Sequence, residues 1–115
     1  MAELKLEVSD GPSGTVVIDA AGHLDAHTFE QMEKQINALF ESEKYKIIAK
    51  LDKLEYISSA GCGVFIQFVQ EAQENDGNLV LLNATQNVVE VFDLLGLSSL
   101  FPMASSMEEA VGLFE

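Results

Sequence analysis

Arginine and tryptophan are both absent from this 115-residue chain, and cysteine occurs once, at Cys62. A lone cysteine excludes an internal disulfide. The missing arginine removes the side chain that grips phosphates and base edges in bidentate fashion. Only six lysines stand against 19 acidic residues, so the chain is poorly equipped to clamp a nucleotide. A net charge of −13 repels nucleic acid and anionic membrane, and neither is an expected partner. No apolar run approaches the ~20 residues of a membrane span. The start, Met1-Ala2-Glu3-Leu4-Lys5, has no basic segment leading into an apolar one. No signal peptide is expected from it, and the expected location is cytoplasmic. There is no Gly-x-x-x-x-Gly-Lys phosphate loop.

What the chain does have is apolar residues, 48 % of the total, enough for one core. Residues 1–115 are therefore read as a single domain. The acidic field either speeds the encounter with a basic partner or only keeps the protein soluble.

Residues 3–8, Glu3-Leu4-Lys5-Leu6-Glu7-Val8, alternate as a half-buried strand does, and their charges suit a sheet edge. Ser9 to Gly14 is turn chemistry, and Thr15 to Ala20 reads as the returning hairpin strand. Ala21 to His27 then connects to a helix, with Phe29, Met32, Ile36, Leu39 and Phe40 at helical spacing. Thr28 with Gln31 fits a capping box, and Asp25 is the alternative cap. Lys46 to Leu51 is the next strand, with Asp52 to Ile57 read as a short connection. Ser58-Ser59-Ala60-Gly61-Cys62-Gly63 follows, then an amphipathic run with Val64, Phe65, Phe68, Val69 and Ala72 on one face. Ser58 and Ser59 thus sit where a helix begins, a place that suits a hydroxyl cap or an anion. Gly61 and Gly63 are read as room for another backbone.

Leu79 to Leu82 is a short apolar strand. Asn83 to Asn87 leads into a helix over Val88 to Leu95 that Gly96 stops. Leu100 to Ala104 reads as a brief edge strand. Ser105-Ser106 opens a last helix with Met107, Ala110, Val111 and Phe114 inward, and Met103 and Met107 are read as its packing. The order is a hairpin followed by β-α-β crossovers, which predicts an α/β fold. The sheet is mixed, with four to five strands, an N-terminal hairpin, parallel central strands and about four helices. Ligands and partners of such sheets meet the C-terminal strand ends. Asp25, Ser58-Ser59 and Asn83-Ala84-Thr85 all follow such ends, so the three segments are expected to converge there.

Three stretches carry a family resemblance over nearly the whole chain: Gly22-His23-Leu24-Asp25, then Leu51-Asp52 with Tyr56 to Val64, then Val89 to Leu97. The pattern resembles the STAS domain family, and within it the bacterial anti-sigma factor antagonists. The resemblance implies a protein switch with no cofactor of its own. The unphosphorylated form would bind a serine kinase of the histidine-kinase-like ATPase type, which doubles as an anti-sigma factor. A sigma factor is thereby freed. The kinase phosphorylates the serine two before the motif glycine, and a PP2C-type phosphatase reverses it. Registered on Gly61, the acceptor is Ser59. The family usually has Asp where this chain has Ser58, which leaves Ser58 as a second candidate acceptor, and Ala60 stands at the third position. The implied partner interface comprises Asp25, Ser58, Ser59, Ala60, Gly61 and Thr85. A charged edge strand further favours a monomer.

Other groupings are read blandly. His23-Leu24-Asp25-Ala26-His27 has the look of a metal site but no further ligand, so no metal is assigned. Cys62 reads as a small buried filler, and Asp52 and Glu55 as solvated loop carboxylates. Phe65 and Phe68 are core. No catalytic residue is assigned, because no nucleophile–base pair is visible. Two alternatives to the switch remain. One is a constitutive STAS subunit or scaffold of a transport or signalling complex. The other is a small hydrolase or nucleotide-binding enzyme.

Overall fold

A computed structural model describes residues 3–114. Met1, Ala2 and Glu115, and with them the first two residues of the start considered above, lie outside the described residues. The elements are β1 (Leu4–Asp10), β2 (Val16–Leu24), α1 (Phe29–Glu41), β3 (Lys46–Ile57), α2 (Ser59–Glu74), β4 (Asn78–Leu82), α3 (Gln86–Leu94), β5 (Met103–Ala104) and α4 (Met107–Gly112), with a 3-10 turn over Pro12–Gly14. One five-stranded sheet has the spatial order β1-β2-β3-β4-β5. β1 and β2 form the antiparallel hairpin, and β2 to β5 run parallel.

Each parallel connection steps one strand in the same direction. Right-handed crossovers taken in one direction place their helices on one face. Accordingly Met32, Ile36 and Phe40 of α1, Phe65 and Phe68 of α2, and Val88 and Phe92 of α3 share one core with Ile18, Ile47, Ala49, Leu79 and Leu81. The alternate strand residues Val17, Ile48, Val80 and Leu82 face the other way and are covered by α4 through Ala110, Met107, Val111 and Phe114. Met103 packs into the three-helix core, so only Met107 serves the C-terminal helix, a correction to the sequence reading.

Three local expectations change. The hairpin strands are longer than their β-branched stretches, since β1 takes in Ser9 and Asp10 and β2 runs on through Ala21 to Leu24. Asp52 to Ile57 is not a connection but the second half of β3. Its apolar residues Leu51, Leu54 and Ile57 recur every third position, which matches neither strand nor helix alternation. Two register shifts against β2 resolve this: Asp19 pairs with Lys50 but Ala21 with Lys53, and Gly22 pairs with Leu54 but His23 with Tyr56. Each inserts one extra residue on β3, a β-bulge. All three apolar side chains are thereby returned to the core, where each is buried. Finally, the capping box is absent. The Thr28 hydroxyl donates to the His23 carbonyl at 2.8 Å and accepts from Asp25 N–H at 2.9 Å. Gln31 Nε2 instead donates to the Leu4 carbonyl, tying α1 to β1 at 3.1 Å.

Phe65, Phe92 and Phe101 close the core beside β3 and β4, with ring centroids 5.4–6.3 Å apart. Phe65 is fully buried. Phe65→Ala is expected to lower stability by about 3–5 kcal/mol, read as a lower urea midpoint with unchanged m-value. A loss below about 1 kcal/mol would place this trio outside the cooperative core.

Candidate functional site

The site is built where β2 and β3 end together. Leu24 pairs with Ile57, and the chain then continues as Asp25 on one side and Ser58 on the other. Ser58 N–H donates to the Leu24 carbonyl at 3.0 Å, fixing the start of α2 against the end of β2. Ser58 has extended backbone dihedrals and is the N-cap of α2. Its Oγ accepts the Gly61 N–H at 3.3 Å, and its carbonyl accepts Cys62 N–H at 3.0 Å. Ser58 is half-buried and its hydroxyl is spent on the cap. Ser59 is the first helical residue and is exposed. Its hydroxyl makes no hydrogen bond among the described residues. The two serines, adjacent in sequence, thus have different surroundings.

Asp25 forms a tight turn ahead of α1. Its Oδ1 accepts His27 N–H at 2.9 Å and, at 3.3 Å, shares the Thr28 hydroxyl proton with the closer His23 carbonyl. The His27 N–H, chiefly, holds the Asp25 carboxyl below its ordinary value. The carboxylate is therefore charged at neutral pH, and what the turn gains from it is lost only as pH falls through that lowered value.

The third segment converges only in part. β4 pairs with β3 only through Leu82–Lys50, while β3 runs on to Ile57. Asn83 therefore leaves the sheet well short of the serines and is not part of their surface. The chain climbs back along β3 until Thr85 Oγ1 donates to the Leu54 carbonyl at 3.3 Å. Thr85 also N-caps α3, accepting Val88 N–H at 3.4 Å. It stands three residues before Ile57, on the order of 10 Å along the strand. Between Thr85 and Asn87 of α3 and Asp52 to Glu55 of β3 lies an open groove of about 620 Å³. Sequence reasoning could not find this groove, because it exists only through the overhang of β3.

The remaining candidates are placed as follows. Gly61 is buried, and a Cβ there would meet the Leu24 carbonyl at 2.6 Å and the Leu24 and Ile57 side chains at 2.9 Å. Gly63 does not serve this purpose, since nothing lies within 4 Å of a Cβ added to it. Ala60 is half-buried at the lip. Asp52 is paired with Lys50 at 2.9 Å, and that lysine holds its carboxyl below the ordinary value. His23 stacks obliquely on Tyr56 at 5.7 Å on the opposite sheet face, with Glu55 4.0 Å from its Nε2. No group of three or more His, Cys, Asp or Glu among the described residues is arranged to hold a metal. Likewise, no helix there is long and apolar enough to cross a membrane.

Cys62 is buried, and burial pushes its thiol up to about 11. It is expected to ignore a thiol reagent at pH 8 in the folded protein and to react once urea unfolds the chain. Rapid native-state labelling would contradict its burial. The two glycines separate as well. Gly61→Ala is expected to destabilise by about 1–3 kcal/mol through the clash with Leu24. Gly63→Ala should stabilise by about 0.5–1 kcal/mol through helix propensity. Thermal unfolding of the pair checks the opposite signs.

With this geometry in hand, the likeness to known proteins is informative. The STAS domain family model matches residues 4–110. BtrV of Bordetella bronchiseptica, named provisionally an anti-sigma factor antagonist, is 31 % identical over 106 residues, covering 92 % of this chain and 91 % of its own. The anti-sigma F factor antagonist of Lysinibacillus sphaericus is 33 % identical over 98 residues, covering 84 % of this chain and 83 % of its own. The anti-sigma factor antagonist SpoIIAA in its unphosphorylated form superimposes with a TM-score of 0.80 at 30 % identity, covering 95 % of both chains. The phosphorylated form of the Bacillus SpoIIAA gives a TM-score of 0.73 at 28 % identity over 96 % of this chain and 100 % of that one. The chain belongs to the STAS domain family, and within that family it stands with the anti-sigma factor antagonists.

Proposed function

We propose that this chain antagonises an anti-sigma factor and is switched off by phosphorylation of Ser59. The unphosphorylated chain binds a serine kinase of the histidine-kinase-like ATPase type, which is also the anti-sigma factor, and a sigma factor is released. The observation that carries the reading is the difference between the two serines. Ser58 Oγ is engaged in the cap, whereas Ser59 Oγ is exposed and unbonded at the same helix start. That relatives are named antagonists, and that SpoIIAA has been solved in both phosphorylation states, supports it.

The chemistry asks little of this chain. The Ser59 hydroxyl attacks the γ-phosphorus of ATP, its O–P bond forms as the bond to the β-phosphate oxygen breaks, and ADP leaves. The partner supplies ATP, Mg²⁺ and the base that takes the hydroxyl proton. Asp25, charged and close to the serines, is assigned to the contact surface, with Ala60 beside it and Thr85 at its margin, whereas Gly61, expected there from the sequence, is buried against Leu24 and shapes that surface from beneath. The phosphate adds about −1.5 to −2 charges. At a helix N-terminus that charge meets free N–H groups and the positive end of the helix, so the fold tolerates it. The same charge in the middle of a contact surface blocks docking. A PP2C-type phosphatase returns the hydroxyl by hydrolysis.

The test is a pull-down from native lysate with wild-type, Ser59→Asp and Ser59→Ala baits. Wild type is expected to retain an ATPase of this type, and Ser59→Asp to lose it at least about tenfold, the direction set by the added charge. Ser59→Ala should bind but take up no phosphate from ATP. Single-site phosphorylation of Ser59→Ala would move the acceptor to Ser58. Equal capture by Ser59→Asp, or capture of a transporter subunit instead, would overturn the switch.

A further inference from the structure

We propose that the C-terminal end of α3 is a second docking surface, and that its occupant is an amphipathic partner helix whose apolar face is bordered by lysine or arginine. Leu94 is 86 % exposed, Leu95 46 % and Leu100 48 %, so three of the seven large hydrophobic residues exposed among the described residues fall within one seven-residue stretch. Val91, Leu94 and Leu95 lie at the i, i+3, i+4 spacing that puts side chains on one side of a helix. The chain is held there firmly. Leu97 N–H donates to the Phe92 carbonyl at 2.8 Å and Gly96 N–H to the Asp93 carbonyl at 3.1 Å, the paired bonds that close a helix end. Phe101 packs edge-on against Phe92 at 5.4 Å, which keeps its neighbour Leu100 beside the last turn.

This surface is separate from the serine site. α3 starts beside Leu54 and runs away from the serines for about 13 Å before the leucines are reached. Its surroundings define the occupant. Glu90, one turn before Leu94, and Asp93 border the patch. From Leu54 to Phe114 the sequence holds eight carboxylates and no lysine, arginine or histidine. A second copy of the chain would set this acidic rim against itself. A helix carrying leucine-like residues within a basic border is complementary in both terms: packing of its apolar face on Leu94, Leu95 and Leu100 supplies the apolar contact, and the opposite charges guide it.

The test uses methyl-labelled wild-type protein followed by NMR. The probe is a synthetic 16-residue amphipathic peptide, about four turns long, with leucine on one face and lysine on its borders. The Leu94, Leu95 and Leu100 methyls are expected to shift and saturate with the lysine peptide. Binding should weaken as salt rises. A Leu94→Gln/Leu100→Gln variant with unchanged circular dichroism should bind at least about tenfold more weakly, as loss of a central apolar anchor implies. Shifts confined to other methyls would overturn the proposal, as would equal binding of a peptide with glutamate borders. So would broadening of these methyls with protein concentration alone, which would assign the patch to a second copy.

Discussion

The Leu24 carbonyl accepts the Ser58 N–H at 3.0 Å and stands where a Cβ on Gly61 would meet it at 2.6 Å. These two relations pin the first turn of α2 against the end of β2. They set the Ser58 dihedrals that make it a cap, and the cap sets Ser59 as the first residue of the helix. Had residue 61 carried a side chain, α2 would have to withdraw from β2. The Ser58 hydrogen bond to Leu24 would lengthen with it. The exposure of one hydroxyl therefore rests on a glycine two positions away that itself faces inward.

The larger architecture follows from the direction of the crossovers. Since the sheet grows strand by strand from β2 to β5, three helices accumulate on one face. Only α4 remains for the other face, and it reaches the Val17, Ile48, Val80 and Leu82 side chains. Beyond its reach the same face carries Lys50 and Lys53 against Asp19 at 3.7 Å, with Lys50 also on Asp52 at 2.9 Å. A sheet left bare there needs polar groups, and Lys50 and Lys53 with Asp19 and Asp52 supply them. The helices of the C-terminal half keep the uncompensated acid.

Much of this was legible because local pattern and tertiary role agree. The α1 stripe, the buried face of α2, the wholly apolar β4 and the αL glycine after α3 could each be read from residue type and spacing. What was missed has a common cause. In β3, two bulges turn a three-residue spacing into a strand, and no periodicity rule anticipates a bulge. At Thr28, a capping-box spacing was present, but the hydroxyl found better partners in the His23 carbonyl and Asp25 N–H. The distance between Asn83 and the serines followed from the β3 overhang, which depends on where β4 stops pairing, a tertiary fact. Residue type and helical position do not say which of Gly61 and Gly63 is there for close packing. Only the packing of Leu24 and Ile57 separates them.

The departure from the family pattern at Ser58 has a physical consequence at the same helix end. An aspartate in that position would cap α2 as well as serine does, since both side chains accept from the helix N–H groups. It would also set a full negative charge next to Ser59. Like charges in adjacent positions raise each other's energy, and a phosphate on Ser59 would meet that cost at once. A serine cap keeps the hydrogen bond to Gly61 N–H without the charge. The Asp25 carboxylate, at the end of the neighbouring strand, is already committed to the His27 N–H. In the proposed switch, a phosphate on Ser59 would thus be spared the like-charge repulsion that an aspartate at position 58 would impose.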